Sequence, residues 1–322
     1  MDAPNPPVIT RILPYGPGAI TEAAALIAAG NVVAIPTETV YGLAADATDS
    51  LAVAAIYAAK GRPAFNPLIV HLPDLEAALA IAVFDDRAAL LARTYWPGPL
   101  TLVLPRRADA PIASLATAGL DTIALRVSAH RAMRGLLAAT GKPLAAPSAN
   151  ASGAISPTRA GHVIASLGGQ IPLVVDDGPT ERGLESTIVY QAEGVTRILR
   201  HGPVTAAMLM VTLGSGDIAS DANAASTDIR APGQVPSHYA PAKPLRIDAP
   251  SPHPDEWMIG FADIPGDDTL SATGDLSEAA ARLFDLLHRA DAGGRPRIAV
   301  APIPTGGLGA AINDRLQRAA HS

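Results

Sequence analysis

The chain has no cysteine among its 322 residues. That excludes disulfides, thiol nucleophiles and thiolate metal sites, and it suits a reducing compartment. Aromatic residues make up 4% of the sequence, too few to build stacking platforms for nucleic-acid bases. Positive charge is also short: 24 Lys and Arg against 30 Asp and Glu give a formal charge of −6. This argues against a protein that works mainly by gripping a phosphate backbone, while leaving room for a local basic patch. The start lacks the charged and apolar regions of a signal peptide, and no uninterrupted apolar run is long enough to span a bilayer. The expectation is a soluble cytoplasmic protein with no membrane partner. There is no GxxxxGK[ST] phosphate loop. PTGGLGAAI, near Thr305, places Ile312 where a dinucleotide loop needs its third glycine, and a tight strand-to-helix turn explains it better. No histidine pair has metal-ligand spacing on a plausible helix, so neither zinc, flavin nor nicotinamide is expected. The scarcest charged residue is lysine: Lys60, Lys142 and Lys243 are the only three, against 21 arginines.

At this length and with 48% hydrophobic residues, the chain can bury more than one core. Strand-like and helix-like stretches alternate, which favours an α/β class. Helices are expected over Ala19–Ala29, Asp49–Ala59, Asp85–Tyr95 and His130–Ala139. Strands are expected at Val32–Ile35, Leu68–Leu72, Leu100–Leu104, Thr122–Val127 and Leu144–Ala146. Three runs, Leu173–Asp176, Ser186–Tyr190 and Val195–Leu199, stand close enough in sequence to be antiparallel neighbours. The expected architecture is a twisted mixed sheet whose helices leave an open crevice, over residues 1–212. Residues 213–243, rich in Gly, Ser, Ala, Asp, Asn and Pro, read as a linker. Residues 244–322 read as a small α/β unit: strands at Leu245–Ile247, Trp257–Phe261 and Arg297–Ala301, and helices at Ser277–Ala290 and Leu308–Ala320.

The polar residues concentrate between Ile35 and His71, where Thr37, Thr39, Tyr41, Lys60, Arg62, Asn66 and His71 surround one expected helix between two expected strands. Cations at a helix C-terminus are favoured by its dipole at roughly 0.3–1 kcal/mol, which alone would explain Lys60 and Arg62. Pro63 and Pro67 stiffen the loop that follows, however. A preorganised loop carrying two cations, an amide and an imidazole suits a polyanion such as a nucleoside triphosphate. A lysine kept two residues from Arg62 supplies a compact point charge beside a planar fork. In PSANASGAISPT, Pro147 to Thr158, Ser156 and Pro157 read as the cap and first residue of a helix. Ser148 and Asn150 are not explained that way. Hydroxyls, amides and exposed N–H groups at a strand-to-helix junction form a phosphate cradle. Arg126 ends an apolar strand, either as an outward edge residue or as a fork for a carboxylate. Glu185, Ser186, Thr187 and Arg200 stand at further strand ends, which in open α/β sheets tend to converge on one crevice.

PTETVYGLAADA, KGRPAFNPLIVH, WPGPLT, PSANASG and ESTIV, in that order, resemble the signature blocks of the threonylcarbamoyl-AMP synthases in their longer, two-domain form. The family's K-x-R…S-x-N pair is matched by Lys60, Arg62, Ser148 and Asn150. APGQVPSHYAP, Ala231 to Pro241, resembles the linker of the long form, with Gln234, Val235 and Pro236 departing from its usual text. GLGAAINDRLQRAA resembles its last helix. The resemblance implies a YrdC-like catalytic domain and a small Rossmann-like C-terminal domain. It also implies a nucleotidyltransferase that combines L-threonine, bicarbonate or CO2 and ATP into L-threonylcarbamoyl-AMP and pyrophosphate. The product would serve threonylcarbamoyladenosine modification of tRNA, through downstream transfer machinery. Threonine contacts are implied for Thr39, His71, Arg126, Ala146 and Ser186. ATP contacts are implied for Lys60, Arg62, Asn66, Thr122, Ser148, Asn150, Ser156, Arg200 and Tyr239, with Lys60 and Arg62 as the catalytic pair. Magnesium would arrive on the ATP phosphates, and a linker carrying His238 and Tyr239 would close over the site. A carbamoyl-transfer module of hydrogenase maturation shares this type of domain, but comes with zinc-finger and acylphosphatase segments of which this sequence shows none.

Overall fold

The structure, a computed structural model, describes residues 8–63, 65–214, 218–220 and 239–321. In chain order the larger part contains β1 (Arg11–Pro14), α1 (Pro17–Ala28), β2 (Val33–Pro36), β3 (Tyr41–Asp46), α2 (Ser50–Lys60), β4 (Ile69–His71) and α3 (Leu75–Leu79). Next come α4 (Asp86–Tyr95), β5 (Leu100–Pro105), a 3-10 turn at Ser114–Thr117, β6 (Thr122–Arg126), α5 (Arg131–Thr140), β7 (Leu144–Ala145) and α6 (Ala160–Leu167). β8 (Leu173–Asp176), β9 (Thr187–Ala192), β10 (Val195–Arg200), α7 (Ala206–Leu213) and β11 (Ile218–Ser220) complete it. The smaller part contains β12 (Leu245–Arg246), β13 (Glu256–Gly260), β14 (Asp268–Thr269), α8 (Leu276–Ala292), β15 (Arg297–Val300) and α9 (Leu308–Ala320).

Eleven strands form one mixed sheet in the order β1-β8-β2-β3-β7-β4-β6-β5-β9-β10-β11. Period-two alternation decides what each face buries. Val33 and Ile35 of β2 and Ala44 of β3 pack with α1 and α5, through Ala23, Ile27, Met133 and Leu136. Ala34, Leu43 and Ala45 face the other way, toward Val53 and Ile56 of α2 and Val163 of α6. In the second half of the sheet, Val70, Leu102 and Leu125 continue that helix-covered face. The opposite face of this half carries only a small patch, Ile69, Val103, Ala124 and Ile188. The crevice opens beside Ile69.

Local chemistry sets the helix ends that position the site. Asp49 accepts a hydrogen bond from the Leu51 N–H at 2.8 Å and starts α2, and Gly61, with φ 58°, ends it immediately before Arg62. In the smaller part, four parallel strands run in the order β12-β15-β13-β14. α8 and α9 pack on this sheet around Phe284, Leu287, Ile298 and Ile312. Val40, Ile155 and Leu184 of the larger part join the same apolar cluster, so the two parts share a packed interface. Among the described residues no helix is long and apolar enough to cross a membrane.

The fold is the α/β arrangement expected from the sequence, with several corrections. β3 is a strand that its Gly- and Ala-rich text conceals, paired antiparallel with β2. β9 and β10 are antiparallel neighbours, but β8 lies across the sheet from them, parallel to β1 and β2. The expected linker contains β11, which adds to β10 in parallel. α6 begins at Ala160 after Arg159, so Ser156 and Pro157 are not its cap and first residue. The hydroxyl of Ser156 instead donates to Glu185 at 2.5 Å, which draws this stretch of chain toward the crevice before the helix starts.

Candidate active site

The polar groups gather where strands end. β4 and β6 are parallel, and their pairing sets His71 directly beside Arg126 at the carboxyl ends of both. Ala146, just after β7, lies beside Ile69 at the start of β4, its N–H donating to the Ile69 carbonyl at 2.9 Å. The turn between β2 and β3 brings in Thr37, Glu38 and Thr39. The Thr37 hydroxyl lies 2.8 Å from that of Thr39, and also donates to the Val40 carbonyl at 2.7 Å.

Arg126 is the hub of this side. Its Nη1 donates to Thr39 Oγ1 at 2.9 Å, its Nε to the Gly98 carbonyl at 3.3 Å, and its Nη2 lies 2.9 Å from Glu38 Oε1. Ser128 donates to the other Glu38 oxygen. Burial would raise the Glu38 pKa, but Arg126 and Ser128 together bring it down to about 2. Burial, and then the nearby guanidinium, push His71 down to about 3, so its imidazole is neutral near pH 7. His71 Nδ1 is buried and has no hydrogen-bond partner among the described residues.

The other side is built from the end of α2 and the loop after β7. Lys60 is almost fully buried, at 3% exposure. Its ammonium donates to the carbonyls of Ser148, at 2.5 Å, and Asn150. The Ser152 N–H returns a bond to the Lys60 carbonyl at 2.8 Å. Burial and the adjacent Arg62 push the Lys60 pKa well down. Arg62 points back into its own loop, donating from Nε to the Asn66 carbonyl at 3.2 Å and from Nη2 to the Pro67 carbonyl at 3.0 Å. Burial lowers its pKa to about 10, which leaves it charged near neutrality. The side-chain oxygens of Asn66 and Asn150 are buried and have no partner among the described residues. Native interiors rarely leave such groups unmatched, and His71 Nδ1, on the wall of the crevice, marks it as built for a ligand.

A third wall comes from β9 and β10. A slip in register between Ile198 and Arg200 turns Arg200 inward. Its Nε donates to the Ser186 carbonyl at 3.1 Å and its Nη2 to Ser186 Oγ at 3.2 Å. Ser186 Oγ also lies 2.7 Å from Thr101 Oγ1. Gly202 allows this approach, since a Cβ there would stand 2.5 Å from the Thr187 nitrogen. Glu185 lies on this wall too, accepting from Ser156 and, at 2.8 Å, from Arg315 Nε of α9. Tyr239 packs on Phe284 of α8 with ring centroids 5.6 Å apart.

Of the residues singled out in the sequence, Thr37, Thr39, Arg62, His71, Arg126, Ala146, Ser148, Glu185, Arg200 and Tyr239 line the crevice. Lys60, Asn66, Ser156 and Ser186 stand one layer behind it, bonded to Ser148, Arg62, Glu185 and Arg200, which do, and Asn150 is held in turn by Lys60. Thr122 is apart from them. It begins β6, four residues from Arg126 and roughly 13 Å along the strand. His238 lies outside the described residues. Glu38 and Arg315 were not among the candidates. Glu38 had a signal, a carboxylate between two threonines at a strand end, whereas Arg315 had none beyond an arginine on an amphipathic helix. Cations prevail in the crevice, where Arg62, Arg126 and Arg200 face Glu185. Among the described residues no group of three or more His, Asp or Glu side chains is placed to hold a metal ion.

A family model described as "Telomere recombination" matches residues 25–202, and one described as "Threonylcarbamoyl-AMP synthase, C-terminal domain" matches residues 204–321. The chain is 38% identical over 321 residues to the threonylcarbamoyl-AMP synthase of Bacillus subtilis (strain 168), covering 94% of this chain and 92% of the relative. It is 37% identical over 316 residues to the enzyme of that name from Pyrococcus abyssi, covering 92% of each. Its fold superposes on the crystal structure of P. abyssi Sua5 complexed with L-threonine with a TM-score of 0.87 and 34% identity, over 98% of this chain and 97% of that one.

Proposed function

The chain belongs to the threonylcarbamoyl-AMP synthase family, and we propose that its crevice joins L-threonine, bicarbonate or CO2, and ATP into L-threonylcarbamoyl-AMP and pyrophosphate, for the threonylcarbamoyladenosine modification of tRNA. The observation that carries this reading is the division of one crevice into two chemically distinct halves. A buried guanidinium with Thr39 and His71 suits an amino acid, and Arg62, Arg200, Ser148 and the Lys60-braced loop suit a nucleotide. The crystallographic relative's complex with L-threonine supports the first assignment.

Arg126 has five N–H donors, of which two are engaged by Gly98 and Thr39, while Nη2 pairs with Glu38 by charge at 2.9 Å. The N–H groups left on its two Nη atoms take the threonine carboxylate. Thr39, Ala146 and Ser186 fix its other end. His71, neutral and with an open Nδ1, accepts a hydrogen bond from the amine or hydroxyl without adding charge. The amine, as free base, attacks CO2, forming a C–N bond and releasing a proton to give a carbamate. A carbamate oxygen then attacks the α-phosphorus of ATP, and the bond from that phosphorus to the pyrophosphate oxygen breaks. Among the described residues no side chain stands as a nucleophile, so the protein contributes position and charge. Arg62, Arg200 and Asn66 bear on the phosphates, with Ser148 and Asn150 at the loop Lys60 secures and Ser156 behind them. Magnesium enters as part of the MgATP substrate, held by its phosphates, since this donor set is cationic. Tyr239, followed by the docked C-terminal part, closes the nucleotide side and limits hydrolysis of the carbamate and anhydride. A cytoplasmic location follows from the substrates and from the tRNA pathway, where a separate transferase consumes the product.

Pyrophosphate release from ATP is expected to require threonine and bicarbonate together. Omitting either should reduce it to background in a coupled phosphate assay. Release that continues unchanged without threonine would refute the reading.

A further inference from the structure

Arg315 of α9 has the largest fully buried side chain among the described residues, and it belongs to the smaller part of the molecule. Stability alone does not call for it, since a buried ion pair replaced by well-packed apolar groups is often as stable or more so. Its partners are what set it apart. Nε donates to Glu185 at 2.8 Å, Nη2 to the His201 carbonyl at 2.9 Å, and Nη1 to Asp314 at 2.5 Å. The guanidinium carbon lies 5.1 Å from the centre of the Tyr239 ring. Apart from Asp314, every partner is a crevice residue or adjoins one. Arg200 approaches the same segment from the other side, through Ser186. Two guanidiniums therefore bracket Glu185 and Ser186, one from each part of the chain.

We propose that Arg315 is a positioning residue for the nucleotide. It neutralises Glu185, a carboxylate that lines the crevice, which leaves Arg200 and Tyr239 to meet ATP. Nucleotide affinity then depends on docking of the C-terminal part. Without Arg315, Arg200 is the nearest remaining cation to a buried, unpaired Glu185. That pairing would divert Arg200 from the phosphates and leave a like charge facing them. The inference rests on the proposed reading of this side of the crevice as the nucleotide half.

The test measures the KM for ATP and for threonine separately, by pyrophosphate release in the full-length protein. Arg315→Gln is expected to raise the KM for ATP about tenfold or more while moving that for threonine less than about threefold. Adding Glu185→Gln to Arg315→Gln should bring the ATP KM back toward wild type, because the unpaired charge is gone. Arg315→Lys keeps the charge without the fork and should fall between, and it carries the test if the glutamine variant does not fold. Asp285→Ala removes a different contact across the same interface, the 2.5 Å pair with Arg159. It should leave the ATP KM within about twofold of wild type. An unmoved ATP KM in the Arg315 variants, an equal rise with Asp285→Ala, or no recovery in the double variant would overturn the proposal. Wild-type protein without threonine-dependent pyrophosphate release would overturn the proposed reaction instead.

Discussion

Lys60→Ala is expected to lower adenylate formation by about a hundred- to a thousandfold while threonine affinity stays within about threefold of wild type. The reason lies in what the ammonium holds. Its bonds to the Ser148 and Asn150 carbonyls tie the end of α2 to the loop after β7, and the Ser152 N–H ties the loop back. Removing the side chain leaves two carbonyls unpaired in a buried place, at about 1–3 kcal/mol for each orphaned group. It also leaves Ser148 and Asn150 without their brace. A displacement of about 1 Å in such groups is enough to cost two orders of magnitude in rate. Thr39, His71 and Arg126 hang on the ends of other strands and make no bond to Lys60, so the amino-acid half should persist. Pyrophosphate release measures the first quantity and calorimetric titration with threonine the second. A threonine Kd that rises in step with lost turnover would show that the two halves are not separable.

This is also where the sequence and the structure part company most usefully. A lysine in a chain of arginines, two residues before Arg62 and just ahead of a Pro-stiffened loop, is visible in the text as an anion site. What the text cannot show is that the ammonium is consumed by carbonyls almost ninety residues away. The same limit hides the ion pair of Glu38 with Arg126, which is set by β3 and β6 lying in one sheet, and that of Arg315 with Glu185, which needs the two parts docked. Local signals worked where the cause was local. Asp49 and Gly61 announce the ends of α2, and Leu308–Ala320 reads as a helix from its apolar spacing. They failed at Ser156, where a good capping sequence is overridden by a buried carboxylate, and at β3, whose glycine and alanines give little strand preference until Thr37 and Val40 fold the turn.

Arg126→Ala is expected to raise the KM for threonine by about a hundredfold or more, since the bidentate partner of the carboxylate is lost. Its second effect is on stability, and it has a distinctive pH signature. In the wild type, Glu38 falls from an ordinary value of 4.5 to about 2 on folding. A depressed carboxylate stabilises the fold above its unfolded pKa, by about 3 kcal/mol here, and that contribution disappears as pH falls from about 4.5 to 2. His71, lowered from 6.5 to about 3, acts in the same direction, since only the unfolded chain takes up its proton as pH falls through that interval and the fold is increasingly penalised. Wild-type Tm should therefore decline steadily on acidification below about pH 6.5. Without Arg126 the Glu38 carboxylate keeps only its hydrogen bonds to Ser128 and the local backbone against desolvation, the largest influence on it, and its pKa is expected to rise. A raised folded pKa reverses the sign: the fold gains stability as the group takes up its proton. Arg126→Ala should thus be destabilised by about 3–5 kcal/mol at pH 7.5 and recover part of that loss by pH 5. Glu38→Gln in the same background should abolish the recovery. Parallel Tm-against-pH curves for wild type and Arg126→Ala would mean that the guanidinium does not hold Glu38 ionised, and that the carboxylate end of the crevice is organised by some other group.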